Sequence, residues 1–152
     1  MEIELIEEMS KKQKIVREIL EALPEWFGLS ESREEYIGDS AEQICFAAVE
    51  KERYIGFLCL KETGKATVEL AVLGVLKEFH HQGIGTDLFT EAKKHAVQQG
   101  YSFMQVKTVQ MGRYAVYDDT NRFYQSLGFQ EFEVFPTLWD KRNPCQIYVM
   151  NI

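Results

Sequence analysis

The segment from Thr67 to Phe89, TVELAVLGVLKEFHHQGIGTDLF, leaves a chain few ways to fold. It opens with a run almost free of polar side chains, which predicts a strand buried near the centre of a sheet. It closes with apolar residues at helical spacing, and Gly83 and Gly85 stand at the junction. A helix start exposes backbone N–H groups that have no internal partner. The aligned peptide dipoles add roughly half a positive charge there. Glycine lets such amides approach an anion closely and tolerates a positive φ. The strand–loop–helix unit therefore has the form of a phosphate cradle. Glycines before a helix also mark plain turns, so the pair alone leaves both readings open.

The rest of the chain supplies the layers around this unit. KKQKIVREILEAL puts Ile15, Ile19, Leu20 and Leu23 on one helical face, with Ser10 as a candidate N-cap and Pro24 just past the end. SESREEYIGDS reads as a second, short helix. Ile44–Glu50 and Tyr54–Lys61 read as strands joined by a charged turn, and SFMQVKTV as another strand. The helix after Gly83 closes at Gly100, and DDTNRFYQSLG is a short helix ended by Gly128. FQEFEVF and QIYVMNI are the last two strands, with DKRNPC as a turn between them. The predicted order is αα-βββ-α-β-α-ββ, an α/β arrangement with a mixed sheet and helices on both faces.

A chain of 152 residues without linker or repeat is expected to be one domain, residues 1–152. Its net charge of −7 argues against a nucleic acid or an anionic membrane as partner. Cys45, Cys59 and Cys145 form no CxxC pair and read as reduced thiols of a cytoplasmic protein. The start of the chain shows no secretory signal and no long apolar run. His80 and His81 are adjacent and point apart, and His95 stands alone in a polar stretch of helix, so no spacing supports a metal.

LAVLGVLKEFHHQGIGTDLF resembles the acetyl-CoA-binding motif of the GNAT N-acetyltransferase superfamily. Gly83 and Gly85 occupy its two small positions, and Val75 its apolar strand end. His80 stands where the family has Gln or Arg. TNRFYQSLGF is similar to the family's second signature through Phe123, Tyr124, Gly128 and Phe129. There Tyr117 replaces a common Asn, and Thr120 a common Ala.

The resemblance implies a GNAT fold, with a mostly antiparallel sheet of about six or seven strands. It implies acetyl-CoA as co-substrate, no metal, and an acetyl group passed directly to a primary amine on a small molecule or peptide. The main chain of Gln82, Gly83, Ile84, Gly85 and Thr86 would hold the pyrophosphate. His80, Tyr117 and Phe123 would lie beside the cofactor. The amide of Leu73 or Val75 would face the thioester oxygen, with Gly74 as the site of a bulge that opens the strand. Tyr124 would give a proton to the departing thiolate. Glu69, a lone carboxylate in an apolar run, is the candidate base for the amine. A homodimer is compatible with the resemblance.

Several features carry a plainer reading beside the functional one. Trp26 and Phe27 are expected in a loop that caps the core or lines a substrate wall. Glu31, Glu34, Glu35 and Asp39 read as a solvated helix face that would attract a cation if it rims a cleft. The cysteines are expected to lie away from both motifs. A dinucleotide-binding domain is disfavoured, because Leu88 stands where a third glycine is required. An acetyl-CoA-binding sensor domain without turnover remains the alternative.

Overall fold

The computed structural model describes all residues, Met1–Ile152. A seven-stranded sheet in the order β1-β2-β3-β4-β5-β7-β6 carries the molecule. Its strands are β1 (Glu2–Ile6), β2 (Ile44–Glu50), β3 (Arg53–Gly64), β4 (Thr67–Val75), β5 (Phe103–Val109), β6 (Gln130–Asp140) and β7 (Asn143–Asn151). All neighbours are antiparallel except β4 and β5. The helices are α1 (Met9–Glu21), α2 (Pro24–Phe27), α3 (Ser30–Ser40), α4 (Ile84–Gln98) and α5 (Ala115–Ser126).

The expected order holds, with one strand, β1, and one single-turn helix, α2, added. β1 is the edge strand absent from the expected order; its acidic and apolar residues alternate over a span too short to stand out, and it pairs Ile6 with Cys45. Two local expectations also change. Ser10 is not the cap of α1: Glu8 takes that position, and the Ser10 hydroxyl donates to the Glu8 carboxylate. Trp26 and Phe27 belong to α2, a single helical turn with Pro24 in its first turn, where the missing N–H costs nothing.

The two faces of the sheet are read from two glycines. A side chain on Gly74 would meet Ile19 and Leu23, so α1 lies on that face. A side chain on Gly56 would meet Leu88 and Val75, so α4 lies on the other. Burial of Ile15, Val16, Ile19 and Leu20 under α1, and of Leu88, Phe89, Ala92 and Ala96 under α4, closes the core. No helix is long and apolar enough to cross a membrane.

A cleft between parting strands as candidate active site

β4 and β5 are bonded only through Thr67–Glu69 against Phe103–Gln105. Beyond Glu69 the two strands part. The register of β4 against β3 slips at the same place, where Leu70 faces Leu60, Val72 faces Cys59 and Ala71 is left over. The bulge thus falls at Ala71 and not at Gly74. Gly74 is small for another reason: Ile19 and Phe57 leave room for no Cβ, at 3.1 and 3.0 Å.

Strand geometry then decides which amides face the opening. The Leu76 N–H donates to the Ile55 carbonyl on β3. Main-chain groups alternate along a strand, so the amides of Leu73 and Val75 point away from β3, into the gap. The Val75 carbonyl points the same way and accepts a hydrogen bond from His80 Nε2 at 2.6 Å. That ring nitrogen therefore carries its proton. The His80 ring also stands edge-on to Trp26, with centroids 5.6 Å apart. His80 is thus occupied with the protein's own main chain at the mouth of the gap.

The α4 start lies beside this opening. Gly83 caps α4 at φ 80°, a backbone state that suits glycine, and no side chain caps the helix. The first helical bond runs from the Asp87 N–H to the Gly83 carbonyl. The amides from His81 to Thr86 have no backbone acceptor and no side-chain acceptor. Nothing lies within 4 Å of where a Gly83 side chain would stand. The residues present therefore fit a diphosphate: unpaired donors, open space and the positive end of a helix. Gly85 has a separate task. A Cβ there would meet the Phe123 ring at 3.0 Å, so its smallness lets α5 close on α4.

Three tyrosines and a carboxylate lie near one another on this side of the sheet. Tyr124 is buried against Phe123, Phe129 and Tyr148, and burial pushes its phenol well above the ordinary range. Tyr36 is raised by burial and then by the charges of Tyr117 and Glu69, and it in turn raises Tyr124. Tyr117 donates its hydroxyl to the Trp26 carbonyl at 3.0 Å, which ties α5 to α2. Glu69 is buried, and Lys107 Nζ lies 2.7 Å from its Oε1, as a charge contact out of line for a hydrogen bond.

Beside Glu69 opens a cleft of about 330 Å³, walled by Glu35, Tyr36, Asp39, Ala71, Lys107 and Trp139. Glu35 and Asp39 thus rim a cavity, whereas Glu34 is engaged by Arg17 through two hydrogen bonds. Cys145 lies nearer than expected, since Lys107 and Glu69 both act on its thiol, which burial pushes up to about 11. His95 is half-buried against Phe46 rather than exposed. No cluster of His, Cys, Asp and Glu that could hold a metal ion is present.

Sequence reasoning missed Lys107, Tyr36 and Asn121. The buried Asn121 donates to the carbonyls of Val109 and Tyr117 and accepts from the Tyr148 hydroxyl at 2.6 Å, which fixes α5 to the end of β5 and the middle of β7. An asparagine inside a helix was the available signal. Lys107 and Tyr36 gave none, because their partners are remote in the chain.

Comparison with known proteins places this geometry. The sequence profile of the Acetyltransferase (GNAT) family matches residues 12–129. No curated protein sequence matches significantly. Among solved structures, one described as a GNAT-family acetyltransferase from Desulfovibrio desulfuricans superposes with a TM-score of 0.82 at 19% identity, covering 99% of this chain and 98% of that one. An aminoglycoside 6'-N-acetyltransferase complexed with coenzyme A gives 0.79 at 20% identity, covering 99% and 97%. The aminoglycoside 6'-N-acetyltransferase from Enterococcus faecium gives 0.77 at 21% identity, covering 99% and 97%. At these identities the likeness establishes the fold.

Proposed function

This chain belongs to the acetyltransferase (GNAT) family, and we propose that it moves an acetyl group from acetyl-CoA to a cationic primary amine by direct attack within a ternary complex. Its class is that of the acyl-CoA-dependent N-acyltransferases. The observation that carries the reading is the fork between β4 and β5, whose free amides stand beside the uncapped start of α4.

The amides of Gln82, Gly83, Ile84, Gly85 and Thr86 hold the diphosphate. The amide of Leu73 or Val75 donates to the thioester oxygen and stabilises the charge that gathers there as the amine adds. Glu69 takes a proton from the ammonium, directly or through water, so that a neutral amine attacks. Tyr124, protonated at neutral pH as any phenol is, donates to the departing sulfur. Phe123 holds the helix start from behind, and His80 and Tyr117 brace the walls of the gap through Val75 and Trp26. Holding amine and thioester in contact supplies much of the rate.

Glu35, Asp39 and Glu69 set three carboxylates around the adjoining cleft against the ammonium groups of Lys61 and Lys107. With Tyr36 and Trp139 in the wall, it suits an amine that carries positive charge on an apolar or ring-bearing body. Two of the similar folds belong to enzymes named for aminoglycosides, which are amines of that charge type.

A panel of small amines and amine-bearing peptides, read by the free thiol released from acetyl-CoA, tests the function. Turnover on at least one cationic amine is expected. Acetyl-CoA binding by calorimetry with no turnover on any amine would instead identify a sensor domain. In the active case, Tyr124→Phe should lower kcat by about 10²-fold and leave acetyl-CoA affinity within about twofold.

A further inference from the structure

Cys45 on β2 and Cys59 on β3 are directly opposed in the antiparallel register, and neither has exposed surface. Both are free thiols. Their place in the ladder follows from the hydrogen bonds of β3. The Ile55 carbonyl bonds β4, and main-chain direction alternates, so Phe57 and Cys59 also turn their polar groups to β4. Cys59 therefore forms a non-hydrogen-bonded pair with Cys45. In such pairs the Cα atoms stand about 4.5 Å apart and the side chains are closest. A disulfide accepts Cα separations of roughly 4.4–6.8 Å.

We infer that Cys45 and Cys59 form a thiol-redox site that closes to a cross-strand disulfide when a peroxide oxidises it. The surroundings favour Cys45 as the attacking sulfur. The neighbouring Cys59 and the Lys12 ammonium hold the Cys45 thiol below its usual range. Lys12 is held in place over the pair by the carbonyls of Gln43 and Ala41, at 2.7 and 3.4 Å. Cys59 is raised by Cys45 beside it and by burial, so it waits as the protonated resolving thiol. Cys145 sits three strands away on β7 and faces no thiol.

The chemistry balances in two steps. The Cys45 thiolate attacks one peroxide oxygen; the O–O bond breaks, a sulfenic acid forms, and the leaving hydroxide takes a proton to become water. The Cys59 sulfur then attacks the sulfenic sulfur, loses its proton, and expels a second water as the S–S bond forms. Two thiols are oxidised by two electrons in all, and one peroxide is reduced to two waters. Because both thiols are covered, the first step proceeds through local opening of α1 or the β1 edge. Cys59 also faces Val72, next to the Ala71 bulge, so the bond would pin the sheet one strand from the candidate active site.

The test reads covalent state and is independent of turnover. The native chain is treated with a few equivalents of hydrogen peroxide, quenched, denatured and alkylated with N-ethylmaleimide. Reduced protein takes up label at all three cysteines. Oxidised protein is expected to lose about 2 Da and to be labelled at Cys145 alone, with Cys45 and Cys59 in one linked peptide. Dithiothreitol should restore all three labels. Cys145→Ala should still close the bond, and Cys59→Ala should leave a sulfenic acid on Cys45 that dimedone traps. Full labelling after peroxide, a bond that includes Cys145, or overoxidised Cys45 in place of the bond would each overturn the inference. The wild-type mapping decides the matter even if a variant does not fold.

Discussion

Lys107 Nζ stands 2.7 Å from Glu69 Oε1, across the fork where β4 leaves β5. Glu69 is the last β4 residue bonded to β5, and Lys107 lies two positions past its partner Gln105. The ammonium offsets part of the cost of burying the Glu69 carboxylate. Lys107→Met keeps the apolar stem and removes the charge. It should lower stability in urea by about 1–2 kcal/mol, below the figure for a fully buried pair because Lys107 remains 30% exposed. Lys107→Arg should recover most of that loss. An unchanged midpoint in the Met variant would show that Glu69 does not depend on this partner.

The contact between Gly85 and Phe123 predicts a paired effect. Alanine in the first turn of a helix gains up to about 1 kcal/mol over glycine. Against this, a new Cβ would press the ring at 3.0 Å, and overpacking of that kind costs about 1–3 kcal/mol. The second effect should win. Gly85→Ala should weaken acetyl-CoA binding by about tenfold, since the ring and the amides shift together. Phe123→Leu should restore much of the affinity in the double variant. Additive losses, measured by calorimetry, would separate the two residues.

The extent of foresight in the sequence follows from how local each feature is. The apolar run of β4, the glycines and the α4 stripe are neighbours in the chain, so the strand–loop–helix unit was legible from their pattern. Gly85 was assigned to the ligand, yet its nearest constraint is Phe123, nearly forty residues on by the numbering. Gly74 invited a bulge, but the bulge lies at Ala71, and what crowds Gly74 is Phe57 and the α1 side chains packed beside it. Glu69 was legible as a carboxylate among apolar residues. Lys107 and Tyr36, which set its charge environment, come from β5 and α3 and carried no mark in one dimension. The cleft is thus legible on the strand that builds it and hidden on the elements that fold over it.

His80 predicts a change in cofactor binding through the main chain. Its Nε2–H donates to the Val75 carbonyl at 2.6 Å and holds the loop after β4 against the strand end. His80→Ala removes that bond, worth about 1 kcal/mol. The loop carrying the free amides should loosen, raising the KM for acetyl-CoA by about fivefold with a smaller change in kcat. His80→Gln retains a donor and should lie between the two. A kcat loss with an unchanged KM would place His80 in the chemical step instead.

The buried phenols predict how the fold responds to alkali. Burial raises Tyr124 well above its ordinary value near 10, and it raises Tyr36 in the same direction. A group whose folded pKa lies above its unfolded pKa contributes stability that is fully present below the unfolded value. That contribution is lost as pH climbs from about 10 toward the folded pKa, because the unfolded chain releases the proton first. Stability in urea should therefore hold through neutral pH and begin to fall at about pH 9, as the raised thiols of Cys59 and Cys145 come into play. It should fall more steeply above about pH 10, as the phenols add to it. Tyr124→Phe and Tyr36→Phe each remove one such proton, so each variant should show a shallower decline over that window, whatever its stability at pH 7. A slope above pH 10 that neither change alters would mean that these two hydroxyls ionise within the folded protein as easily as outside it.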